Sequence, residues 1–156
     1  MKLLLFLSSF LLSFTVLSQD IKVGKVENKV QLGDLVGNRD FAFGVKNILE
    51  EVVQDAGFNL NPNADLQLDV EILFFDVAKT GVQLGAFAKN IDSYNIIAKA
   101  KLLKGGKEIN VVTVKGSAKS ISTSTLIIDE GGKFSQANVS TAIKKLCDDI
   151  IVKLKL

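Results

Sequence analysis

The stretch from Leu66 to Phe74 alternates. Leu66, Leu68, Val70, Ile72 and Phe74 are apolar, while Gln67, Asp69 and Glu71 between them are polar. Successive side chains of an extended strand point to opposite faces, so a period of two predicts a strand over 65–78 with one buried and one solvated face. A sheet buried on one side needs a cover, and the chain supplies two. Phe41, Val45, Ile48, Leu49, Val52, Val53 and Ala56 recur at steps of four, three and one. Val139, Ala142, Ile143, Leu146, Cys147, Ile150, Ile151 and Leu154 do the same at steps of three and one. Each set falls on one stripe of a helix with about 3.6 residues per turn, predicting helices over 39–56 and 138–154. Asn38 is the expected N-cap of the first helix, Asp40 suits its positive end, and Gly57 is the expected C′ residue, with Pro62 beyond the stop.

Shorter signals complete the layout. Residues 21–32, IKVGKVENKVQL, read as one or two short strands interrupted by Gly24 and Asn28. The runs 93–103 and 107–118 flank Gly105-Gly106 and predict a hairpin. Gly81 and Gly85 frame a weaker segment, and the Ser/Thr-rich run 116–125 either continues a strand or forms a loop. With 156 residues, 47% hydrophobic and 23% charged, the chain suits one globular domain and not a disordered one. The predicted fold class is α+β: a two-layer domain, an antiparallel sheet of three to five strands with two amphipathic helices packed on one face.

The N-terminus predicts export. Lys2 is followed by LLLFLSSFLLSFTVL, and Val16 and Ser18 stand at the −3 and −1 positions of a small-residue cleavage site. The apolar run would span only about 22 Å as a helix, against a hydrocarbon core of about 30 Å. Residues 1–18 are therefore read as a signal peptide, and 19–156 as the single mature domain with no integral membrane span. The destination is the periplasm or the medium of a bacterium.

NRDFAFGVKNILEEVVQDAGFNL followed by ADLQLDVEILFFDV resembles the opening of YajG-type bacterial envelope proteins, where a helix leads into an alternating strand. SYNIIAKAKLLKGGKEINVVTVKGSA resembles their central hairpin, and SQANVSTAIKKLCDDIIVKL their closing helix. The likeness runs over about residues 38–154 and is one of pattern. Similar domains occur in the curli-secretion lipoprotein and in lipoprotein activators of peptidoglycan synthases, which implies assembly, pore or partner-binding roles. The lipid-attachment Cys of the YajG type is missing here, and the resemblance transfers no functional residue.

Several chemistries drop out on composition. There is no His and one Cys, which excludes an intrachain disulfide, His- or Cys-rich zinc sites and imidazole catalysis. A net charge of +2 predicts no nucleic-acid partner. The glycines match neither the P-loop nor the dinucleotide-binding spacing. No cofactor and no metal is expected.

The remaining candidates each have a plainer reading. Asp69 and Glu71 share a strand face with Cβ atoms about 6–7 Å apart, a spacing of interest for glycoside hydrolysis, but with no flanking aromatic platform a solvated sheet face is the favoured reading. Cys147 lies in the apolar stripe of the closing helix, as a small buried hydrophobe would, or pairs between chains. Ser117, Ser120, Ser122, Thr123, Ser124 and Thr125 have only Lys119 nearby to activate a nucleophile. Lys144, Lys145, Lys153 and Lys155 are offset by Asp148 and Asp149, as on a solvated helix face. Phe74, Phe75, Phe87 and Tyr94 form an aromatic group that either packs the sheet end or lines a groove. These features point to a non-catalytic exported module that binds another envelope component, a protein. Phe75, Phe87, Tyr94, Lys99 and Lys101 are its expected contact residues. A small-ligand or lipid carrier with a pocket between helices and sheet is the first alternative. A hydrolase using the Asp69/Glu71 face is the second.

Overall fold

A computed structural model describes residues 18–30, 41–84, 87–124 and 136–156. The apolar leader, the Asn38 cap and Asp40 lie outside those residues. In chain order the elements are β1 (Asp20–Asn28), α1 (Phe41–Asp55), β2 (Asn59–Leu60), β3 (Leu66–Leu84), β4 (Phe87–Lys104), β5 (Lys107–Ser124) and α2 (Gln136–Leu154).

The strands form one sheet in the order β2-β1-β3-β4-β5. β3, β4 and β5 pair antiparallel, but β1 pairs parallel with both β2 and β3. The expected all-antiparallel sheet is thus corrected to a mixed one. The reason is topological: α1 carries the chain back after β1, so β3 enters in the direction of β1. The expected strand over 65–78 ends too early. β3 runs through Gly81 to Leu84, and Leu84 faces Phe87 across the hairpin. The Ser/Thr-rich run continues β5 as far as Ser124.

Both helices pack on the sheet. α2 lies over β5 and β4, and α1 lies beside it over β1 and β2. Between the layers Ile21, Val45, Leu49, Val53, Leu68, Val70, Ile72, Tyr94, Ile96, Leu146 and Ile150 have no exposed surface. Each fully buried aliphatic side chain of this size contributes about 1.5–3 kcal/mol. Lys144 adds an exposed tie between the helices, reaching Asp55 at 3.8 Å.

Local signals end the elements where expected. At the end of α1, Gly57 takes φ 91°. The Gly57 N–H donates to Gln54 O at 2.9 Å and the Phe58 N–H to Val53 O at 3.2 Å, the two bonds of a Schellman stop. α2 ends in the same way on a non-glycine residue. Lys155 has φ 58°, and the N–H groups of Lys155 and Leu156 donate to Val152 O and Ile151 O.

A bulge in β3 decides which residues face the core. Ile72 pairs with Ala98, but Phe74 pairs with Ile97, leaving Leu73 as the extra residue. Before it, Leu66, Leu68, Val70 and Ile72 are buried; after it, Phe75 and Val77 pack against the core, and Phe74 is 44% exposed. Phe74 was expected on the buried face and stands on the other. Phe75 instead meets Phe41 of α1, with ring centroids 4.9 Å apart and planes tilted by 54°.

α2 approaches β5 closely at Gly116. A Cβ there would come within 2.8 Å of Leu146 Cβ and 2.9 Å of Leu146 N, and closer still to Ala142 O. Two of these are backbone atoms of the helix, so the crossing tolerates no side chain without moving α2. Gly116→Val is expected to lower unfolding free energy by about 3 kcal/mol, at the upper end of overpacking costs. Urea unfolding monitored by circular dichroism checks it; a change below about 1 kcal/mol would contradict the close approach.

Candidate functional site

The solvent-facing side of the sheet carries most of the polar candidates. Register aligns Asp69 with Lys101, Glu71 with Lys99, and Phe74 with Ile97 across β3 and β4. On β5, Val111, Thr113 and Lys115 continue these three rows. On β1, Glu27 lies beside Glu71.

Each of the paired carboxylates has a structural partner. β1 bulges between Val23 and Val26, and Asp69 sits opposite the bulge. The Lys25 N–H donates to Asp69 Oδ1 at 2.8 Å, and Gln67 Nε2 donates to the same oxygen at 2.8 Å. Asp69 therefore substitutes for a backbone acceptor that the bulge removes from the ladder. Gly24 makes room for it: a Cβ at that position would overlap both the Asp69 carboxylate and the Gln67 amide. Glu71 accepts from Lys101 Nζ at 2.7 Å, with both side chains less than one-third exposed. Glu27 bridges Lys25 and Lys29, the latter at 2.6 Å.

These pairs shift the titrations. Lys101 hydrogen bonding, with Lys99 adding a weaker attraction, holds Glu71 below its ordinary value. Hydrogen bonds from Lys25 and Lys29 bring Glu27 down to about 2. Lys29 and Lys101 are raised in return, chiefly by hydrogen bonds to Glu27 and Glu71. A glycosidase acid needs the opposite, a carboxyl raised enough to carry a proton at neutral pH. The geometry on this face is that of an ion-pair lattice.

The other candidates separate. Tyr94 has no exposed surface and lies inside the core, so its expected role as a surface contact is replaced by packing. It falls on the inner face because β4 alternates Tyr94, Ile96, Ala98, Ala100 and Leu102 toward the helices. Phe75 is half-buried against Phe41. Lys99 and Lys101 remain together on the outer face. Phe87 opens β4, and its side chain lies outside the described residues. Cys147 is buried in the core, and burial pushes its thiol up to about 12. Of the closing-helix lysines, Lys144 pairs with Asp55 and Asp148, and Lys153 pairs with Asp149 at 2.9 Å. Among the described residues, no group of three or more His, Cys, Asp or Glu is placed to hold a metal.

Sequence reasoning missed the outward pair Phe74–Ile97. The signal was present: Ile72-Leu73-Phe74-Phe75 breaks the alternation, as a bulge requires. It also missed the supporting role of Asp69, since nothing in the local pattern tells a solvated carboxylate from one that caps a neighbouring strand.

No family model and no curated protein matches the sequence. The fold has clear counterparts. A minor lipoprotein from Acinetobacter baumannii superposes with a TM-score of 0.50 at 10% identity, over 86% of this chain and 89% of that one. A hypothetical protein from Chlamydia trachomatis gives 0.57 at 8% identity, over 88% and 96%. A PelC dodecamer from Paraburkholderia phytofirmans gives 0.51 at 11% identity, over 88% and 86%. At such identities the likeness shows the fold alone, one that a bacterial lipoprotein also has. No described helix is long and apolar enough to cross a membrane.

Two outcomes follow from this geometry. Glu27 and Glu71 are depressed in the folded state, so their contribution to stability is complete above the ordinary carboxylate value of 4.5. It is lost as pH falls toward the folded values, which for Glu27 means toward about 2. The urea midpoint should fall across that window, and the double variant Glu27→Gln/Glu71→Gln should show a shallower fall. Because the pairs are solvent-accessible, salt should flatten the difference; an identical pH profile in the double variant would contradict the lattice. Separately, Cys147 should resist a thiol reagent at neutral pH in the folded protein and react fully in denaturant. Rapid labelling of native protein would contradict its burial.

Proposed function

We propose that this protein is an exported, non-catalytic component of the bacterial envelope, related to the YajG type, that works by binding another envelope protein. The observation that carries the reading is the combination of a fold that a bacterial lipoprotein also has with an outer sheet face whose carboxylates are engaged in holding strands together. The helix–sheet layer is filled by Leu49, Val53, Ile72, Tyr94, Leu146 and Ile150, which supports a packed core in preference to a carrier pocket.

The contact is assigned to the outer sheet face. There Lys99 and Lys101 stand in adjacent rows beside the exposed Phe74, which offers an apolar anchor with a basic border. Export follows from the leader, with the mature chain starting at Gln19.

The test is capture of tagged protein from an envelope extract after crosslinking, with the partner identified by mass spectrometry. One specific partner is expected to be recovered, and Phe74→Asp or Lys99→Glu/Lys101→Glu to lose it at unchanged circular dichroism. Recovery unaffected by either variant would remove the contact from this face. The N-terminal sequence of the exported protein checks the leader: any start other than Gln19 contradicts the cleavage reading.

A further inference from the structure

The bulge in β3 puts two large apolar side chains on the outer face in succession. Ile72 before it is buried and Phe75 after it packs against the core. Leu73 and Phe74 between them therefore stand outside, 45% and 44% exposed. Among the described residues the other exposed large hydrophobics are Phe43, Ile109 and Val152, on α1, at the start of β5 and near the end of α2. None of these has a second one beside it in the chain. Half-buried Ile97 stands opposite Phe74 and extends the apolar surface onto β4.

Cations border this surface on the side of β4 and β5. Lys115 faces Ile97 from β5, and Lys99 lies two residues on from Ile97, on the same face of β4. Glu71, the register partner of Lys99, accepts from Lys101 instead. Asp69 is held by the Lys25 N–H and the Gln67 amide. Among the described residues neither Lys99 nor Lys115 takes part in an ion pair. One carboxylate, Asp76, borders the other end, in the next row with Asn95 and Ser117.

We propose that the envelope protein bound here presents an acidic segment. An aromatic or branched aliphatic side chain of it would seat on Leu73, Phe74 and Ile97, and its Asp or Glu residues would meet Lys99 and Lys115. This chemistry rests on the assignment of the protein contact to the outer sheet face. Complementarity of charge around an apolar anchor supports it. A basic segment would set like charge against both lysines. A broad anionic bilayer would also meet Asp69, Glu71 and Asp76 on the same face, whereas a segment one strand wide meets the lysines alone.

Selection of a random dodecapeptide phage library on the purified protein tests the chemistry without the natural partner. Enriched peptides should carry Asp or Glu beside an aromatic or Leu residue. Their synthetic forms should bind about tenfold more weakly to Phe74→Ala and about fivefold or more weakly to Lys99→Gln/Lys115→Gln. Asp76→Asn should tighten binding about twofold, and affinity should fall as salt rises. Enrichment of neutral or basic peptides, no enrichment, or equal binding to the lysine variant would overturn the proposal. So would a dimer that Phe74→Ala dissociates, which makes a second copy the occupant, or flotation with phosphatidylglycerol vesicles that Phe74→Ala abolishes. Should Phe74→Ala fail to fold, the solvent-facing lysine variant decides. Crosslinked capture separates the two readings. A partner lost by Phe74→Asp but kept by Lys99→Gln/Lys115→Gln leaves the contact on this face and overturns the acidic segment; a partner kept by both variants removes both.

Discussion

The phase of side-chain alternation along β3 is the constraint on which the rest of the molecule depends. From Leu66 to Ile72 it directs one row of aliphatic residues into the helices and one row of polar residues to solvent. Leu73 inserts one residue and exchanges the rows, so that Phe75 and Val77 continue the core and Phe74 turns outward. β4 and β5 are registered on β3 directly or through one another, so their faces inherit that choice. The Phe41–Phe75 contact then ties the shifted half of the strand to α1.

Packing of α2 on β5 is the second determinant. At Gly116 the helix backbone comes so near to the strand that no side chain fits between them. The neighbouring inner positions of β5 are Val114 and Ala118, both small enough to keep the approach open. Close contact of this kind orients α2 and leaves its charged residues, Lys144, Asp148, Asp149 and Lys153, to pair among themselves or with α1. On the other side of the sheet the charges follow the same logic. They pair across strands and satisfy a bulge, and Glu27 and Glu71 are held below their ordinary range.

Much of this was legible in the residues, because local geometry and solvent alone set it. The helical stripes of α1 and α2, the stop at Gly57, the hairpin at Gly105-Gly106 and the burial of Cys147 all follow from periodicity and backbone preference. Three features were not. The parallel pairing of β1 with β3 depends on which strand edge is free when the chain returns from α1. The continuation of β3 through Gly81 depends on β4 as a partner, since pairing outweighs the weak strand preference of glycine. The placement of Tyr94 in the core depends on the register of β4 against a strand whose own phase has shifted.

The candidate site divides along the same line. From the sequence came the absence of imidazole and the rows of Lys, Asp and Glu that stand outside, since these are matters of composition and alternation. Only the assembled sheet decided that Asp69 completes a bulge in β1, that Glu71 belongs to Lys101, and that Phe74 faces solvent where Phe75 does not. The reason is that an alternating pattern defines two faces of one strand. Which neighbour lies beside each residue, and on which side the cover sits, is set by contacts between segments far apart in the chain.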